Sequence, residues 1–170
     1  MDEFAIQVFE HHLAEFVSTL AEPRPQLFLH DHLEDGNPEK VDGPRIIVSS
    51  MDLLSDIAYP QGPATDIVHV DLTGIAVYIE TPLIVPGPEG GPDEVDGEKA
   101  VHIPICEGLR SWLKDNRLGL SVPAEIQAAG CECTEFGMWQ PQRREQLKRR
   151  VRDRYWRSVF FVVLQKLEVS

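Results

Sequence analysis

The chain reads as an α+β protein, with a mainly antiparallel mixed sheet of about four to five strands and two helices packed on one face. Three observations predict this. Near the N-terminus Ile6, Phe9, Leu13, Phe16, Val17 and Leu20 recur at steps of three and four, with Glu10, Glu15 and Ser18 on the other side, which is the pattern of an amphipathic helix. Short β-branched and aromatic runs follow (RIIVS, DIVHVDLTGIAVYIET, YWRSVFFVVL) and read as strands. The order is helix, strands, helix, strands, which places helices on one side of a sheet. With 170 residues, 42% of them hydrophobic, the chain is long enough for one domain with a real core and too short for two.

Each element follows from local chemistry. The first helix is expected over about residues 3–21, ending before Pro23, whose ring cannot continue it. Residues 22–44 hold four prolines, two glycines and many acids around Leu27-Phe28-Leu29, and read as a flexible acidic connection with one short strand. Residues 45–49, after Gly43-Pro44, form a strand.

Over residues 65–81 the apolar positions are first even (Val68, Val70, Leu72) and then odd (Ile75, Val77, Ile79). The change of phase at Thr73-Gly74 predicts a β-bulge in a long bent strand, or a hairpin. Residues 82–98 carry four prolines, four glycines and a cluster of acids, the composition of a mobile loop. A second helix is expected over about 104–116, with Pro104 in its first turn, Ile105, Leu109, Trp112 and Leu113 as its apolar stripe, and Gly119 as its stop. Residues 124–136 read as a further strand. The strongest strand signal is 155–164, apolar on both faces from Val159 to Leu164, which belongs in the middle of a covered sheet or beneath a neighbouring subunit.

Charge is distributed unevenly. Residues 1–136 hold 25 Asp/Glu against 7 Lys/Arg, and residues 137–170 hold 3 against 9, so the first part carries −18 and the tail +6. Such an asymmetry favours attraction between copies of the chain, in a head-to-tail sense. A net charge of −12 argues against wrapping nucleic acid as a main task, because that binding rests on Lys and Arg neutralising phosphates. The acidic start, Met1-Asp2-Glu3, and the lack of any apolar run of 18 residues predict neither export nor membrane insertion. Three cysteines, with Cys131 and Cys133 one residue apart, predict reduced thiols.

Catalytic signatures are missing: there is no GxSxG elbow, no GxxxxGK[ST] loop and no GxGxxG after a strand. His30-Asp31-His32 with Glu34 and Asp35, and the pair His69 and Asp71, have donor types that ligate divalent ions, yet no HExxH or CxxC spacing supports a metal site. Cys131 and Cys133 lack a partner pair for one. No catalytic, cofactor-binding or metal-binding residue is therefore assigned. The basic segment (Arg143, Arg144, Lys148, Arg149, Arg150, Arg152, Arg154, Arg157, with Tyr155 and Trp156) reads as a docking surface for the acids of another copy, or else as a nucleic-acid patch. For the contact, Arg149, Arg150, Arg152 and Arg154 stand on one side and Asp93, Glu94 and Asp96 on the other.

The layout resembles the tail terminator, or tail-completion (head-tail joining), proteins of tailed bacteriophages. It does so in the helix DEFAIQVFEHHLAEFVSTLA, the strand PRIIVSS, the strand pair DIVHVDLTGIAVYIET, the helix ICEGLRSWLKDNRL and the closing strand RYWRSVFFVVLQKL. The 22–44 and 82–98 segments and the basic stretch 143–157 are longer or more charged than a minimal member needs. The resemblance implies a non-enzymatic virion protein, made in the host cytoplasm, that closes the head-proximal end of the tail as a homo-oligomeric, hexameric ring. Its implied partners are itself, the tail tube protein and a neck or head-completion protein, with DNA passing through unbound, no membrane and no cofactor. Another neck, head-completion or baseplate component, and a metal-dependent enzyme using His30 and His32, are the alternatives.

Overall fold

A computed structural model describes residues 3–29, 43–51, 72–126, 134–139, 145–151 and 155–167. In chain order its elements are α1 (Glu3–Ser18), β1 (Gln26–Leu29), β2 (Arg45–Met51), β3 (Leu72–Pro82), β4 (Ile84–Pro86), β5 (Glu94–Asp96), a π-helical turn (Glu98–His102), α2 (Ile103–Asp115), β6 (Leu120–Ser121), β7 (Glu135–Trp139), β8 (Glu145–Val151) and β9 (Tyr155–Leu167). The α+β class expected from the sequence is the class observed, with seven strands in the main sheet among the described residues instead of four or five.

Helix α1 buries Ala5, Val8, Phe9, Leu13 and Val17, the face its spacing marks out. It stops at Ser18, short of Pro23, because the last turn tightens: the Thr19 and Leu20 N–H groups bond to the carbonyls three residues back, and the Ser18 and Thr19 hydroxyls donate to the Glu15 and Phe16 carbonyls. Helix α2 buries Ile105, Cys106, Leu109 and Leu113. Trp112 joins the two helices, its ring 5.8 Å from Phe9 and 5.7 Å from Phe16. Gly119, with φ +137°, turns the chain out of α2 as expected; a side chain there would collide with the Phe136 carbonyl. Among the described residues no helix is long and apolar enough to cross a membrane.

The main sheet runs β1-β2-β3-β9-β7-β6, with β8 also paired to β9. Among the described strands only β1 and β2 pair in parallel. One edge of β9 pairs with β3 from Tyr155 to Gln165; the other pairs with β8 over its first half and β7 over its second. The acidic and basic parts of the chain are therefore interleaved, and β9 of the basic tail lies at the centre of the sheet.

Alternation along the strands creates two faces. Ile46 and Val48, Ile75, Val77 and Ile79, and Phe160, Val162 and Leu164 point into one core with both helices. Ile47, Ala76, Val159 and Val163, on the opposite face, are buried as well. Burial on both sides is what the apolar run at 159–164 predicts for a central strand.

Three expectations are corrected. Strand β3 passes through Thr73 and Gly74 in unbroken register with both neighbours, Met51↔Gly74 on one side and Thr73↔Leu164 on the other, so residues 72–82 contain neither bulge nor hairpin. Gly74 is one of the strand positions of a face that is buried too, and the odd-position apolars mark only the helix side. Residues 82–98, read as a loop, fold as a small hairpin in which Val85 pairs with Val95. Its glycines allow the backbones to close: the Gly87 N–H bonds to the Asp93 carbonyl, the Gly97 N–H to the Leu83 carbonyl, and a Cβ at either glycine would strike the carbonyl of Pro92 or Pro82. Of the strand expected over 124–136, residues 124–126 form a turn and the strand begins at Glu135, while 127–133 lie outside the described residues.

Candidate functional site

Arg45 opens β2, Glu80 lies near the end of β3 and Arg157 near the start of β9, and the ladder register places the three side by side. Arg45 donates Nε–H to Glu80 Oε2 at 2.7 Å, and its Nη2 lies 2.6 Å from the same oxygen as an ion pair. Arg157 donates Nε–H at 3.0 Å and Nη2–H at 2.7 Å to Glu80 Oε1. The carboxylate thus meets four guanidinium nitrogens, three of them through charge-assisted hydrogen bonds. Glu80 is 1% exposed, the Arg45 side chain 6% and that of Arg157 24%. Tyrosine rings line the cluster: the Arg45 guanidinium lies 5.7 Å from Tyr155, and that of Arg157 lies 5.5 Å from Tyr78 and 5.8 Å from Tyr155. This group fastens three strands and leaves one net positive charge on the face opposite the helices.

The row extends to β8, where Arg149 is the ladder partner of Arg157 and Arg150 that of Trp156. An extra residue between Gln146 and Arg149 shifts the register and sets this pairing. The backbone of Arg149 and Arg150 is thus placed on β8, which pairs with β9 alone among the described strands. Arg152 and Arg154 lie outside the described residues.

The acidic counterparts are on the β4–β5 hairpin, which leaves the sheet two residues after β3 ends. Val85 and Val95 face the core, whereas Ile84, Pro86, Glu94 and Asp96 are exposed on the outer side, as is Asp93 at the turn. Asp96 has a local duty, since its Oδ1 accepts the Glu98 N–H at 3.1 Å and starts the π-helical turn. Asp93 and Glu94 form no ion pair among the described residues.

A second polar group sits on the core face. His102 Nδ1 is 3.0 Å from Thr81 Oγ1, and its Nε2 is 2.9 Å from Ser158 Oγ. A serine at that distance from an imidazole has the geometry of a nucleophile and its base. Here Thr81, His102 and Ser158 are all buried, at 0%, 1% and 2% exposure, so the trio joins the π-helical turn to β3 and β9 instead of meeting a substrate. His12 of α1 donates its Nε2–H to the Ser121 carbonyl at 2.7 Å and ties α1 to β6; His11 lies 3.3 Å from Glu15.

Among the described residues no group of three or more His, Cys, Asp or Glu could hold a metal. His30, Asp31, His32, Glu34, Asp35, His69, Asp71, Cys131 and Cys133 lie outside them. Arg45 and Glu80 were not singled out by sequence reasoning. The signal was present: each is a lone charge in an apolar strand, and a charge bound for the interior needs a partner of opposite sign. No family model matches the chain, and no curated protein or solved structure matches it.

Proposed function

We propose that the protein is a structural subunit of a phage virion, a tail terminator that caps the tail tube as a homo-oligomeric ring. The ring would end tail polymerisation and present a surface to the neck proteins of the filled head. The observation that carries this reading is the placement of both charged elements at one end of the sheet. The acidic hairpin springs from the end of β3, and the β8–β9 hairpin, with Arg149 and Arg150, closes at the same end. A contact between these elements sets neighbouring copies side by side with their strands at one height. A rotation that divides a full turn then closes a ring.

Such a ring works by physical means. Closure fixes the number of copies, which the resemblance to tail terminators puts at six. One ring face meets the last tube ring and the other meets the neck, and a lumen rich in acids repels DNA phosphates so that the genome slides through. No side chain is given a catalytic role and no cofactor is assigned.

Light scattering after size exclusion, over a range of concentrations and at low and moderate salt, tests this reading. A species near six copies that weakens with salt is expected. A two-copy species would instead mean that the same charged elements pair about a two-fold axis, and the terminator reading would fail.

A further inference from the structure

We infer that the Arg45–Glu80–Arg157 cluster is a binding site for one small monovalent anion, held beside Tyr155 by the ends of the two guanidinium groups that Glu80 does not use.

Two guanidinium groups and one carboxylate sum to +1, and among the described residues neither arginine has an ion pair other than Glu80. Glu80 and Arg45 are both buried, so on that side water does little to solvate the surplus. A buried charge needs a counter-charge within reach, and the single carboxylate is already divided between two partners, one oxygen to each. The rings of Tyr78 and Tyr155 offset part of the surplus through their negative faces, but carry no charge of their own.

Hydrogen bonding points the same way. Both arginines meet Glu80 with the edge formed by Nε and Nη2. A guanidinium has five N–H donors, so the Nη1 end of each remains, and neither Nη1 has a hydrogen bond or ion pair among the described residues. The Arg45 side chain is only 6% exposed, and a donor left unmatched in such a place is costly. The Tyr155 ring lies 5.7 Å from the Arg45 guanidinium and 5.8 Å from that of Arg157, so both groups border one ring.

The charge balance selects the ligand. One surplus positive charge is matched by one negative charge, whereas a divalent anion would reverse the imbalance. A largely buried place also penalises ions that hold their water strongly, which favours chloride over phosphate. Arg157, a quarter exposed, is the way in, and Arg45 is the inner end of the site. Bound there, the anion brings the cluster to neutrality and completes the tie between β2, β3 and β9.

The test is the thermal midpoint of the full chain against chloride, with gluconate making up the difference so that ionic strength, and with it the screening of any contact between copies, stays constant. The midpoint is expected to rise by about 3–5 °C for each tenfold of chloride beyond half-saturation. Arg157→Gln, which leaves Arg45 and Glu80 as a neutral pair, is expected to lose that rise, and Arg157→Lys, which keeps the surplus charge, to retain part of it. Bromide soaked into crystals of the unaltered chain keeps the site testable if Arg157→Gln does not fold: an anomalous peak is expected within hydrogen-bond distance of both Arg45 and Arg157. No chloride dependence in the unaltered chain, an equal dependence in Arg157→Gln, or the absence of bromide from the two arginines overturns the site.

Discussion

Arg157 meets Glu80 across β3 and β9 with two N–H groups on a single carboxylate oxygen, Nε at 3.0 Å and Nη2 at 2.7 Å. The other oxygen belongs to Arg45. Such a cluster gains little net stability over apolar residues of the same size, but it is expensive to break from one side.

Glu80→Gln is therefore expected to lower stability by about 3–5 kcal/mol, because two largely buried guanidinium groups lose their counter-charge together. Urea unfolding of the variant measures it. Arg149→Gln, on a strand that pairs with β9 alone among the described strands, should stay within about 0.5 kcal/mol of the unaltered chain in the same experiment.

Ser158→Ala is expected to lower stability by about 1–3 kcal/mol. It strips the sealed His102 ring of a hydroxyl at 2.9 Å, in a buried place where losing a hydrogen-bond partner is costly. The thermal midpoint should fall accordingly. A variant as stable as the parent would show that His102 draws its satisfaction from elsewhere.

The helices and the central strands could be read from the sequence because burial there is periodic: Phe9, Leu13 and Val17 on α1 and the unbroken run around Val162 on β9 each encode one geometry. What escaped was set by tertiary contact. β6 has two residues, and β8 is a polar, arginine-rich stretch whose strand conformation comes from pairing with β9. The β4–β5 hairpin was hidden by its Pro and Gly content, since composition records the turn chemistry and not the single inward pair of Val85 and Val95. Of the proposed contact surface, Arg149, Asp93 and Glu94 were named on charge alone. Arg45 and Glu80 were missed because their meaning depends on the register between strands 35 residues apart in the chain.

Gly97→Ala is expected to release the β4–β5 hairpin, because the added methyl would collide with the Pro82 carbonyl where the chain re-enters the core. Hydrogen exchange should show lost protection at the Gly87 and Gly97 amides. Gly90→Ala is the control: its φ of +83° carries a penalty of about 1 kcal/mol, but no heavy atom lies within 4 Å of the new methyl. Protection of the hairpin amides should survive it.

Salt should weaken association. The screening length falls from about 10 Å at 0.1 M to about 3 Å at 1 M, so a contact between exposed Asp93, Glu94 and an arginine row loses its long-range attraction over that range. Sedimentation velocity across the series should show smaller species as salt rises; a mass that grows with salt would indicate an apolar contact, with the exposed Ile84 as its first suspect.

The most direct measurement is a charge exchange followed by light scattering. One variant carries Arg149→Glu and Arg150→Glu, and the other carries Asp93→Lys and Glu94→Lys. Each alone has two surfaces of one sign and should remain monomeric. Mixed in equal amounts, they restore complementary pairs at every contact and should recover an assembly of the unaltered mass with the two variants alternating. Assembly of either variant by itself to the unaltered mass, or a mixture that stays monomeric while the unaltered chain assembles, would contradict a ring built on the acidic hairpin and the basic row.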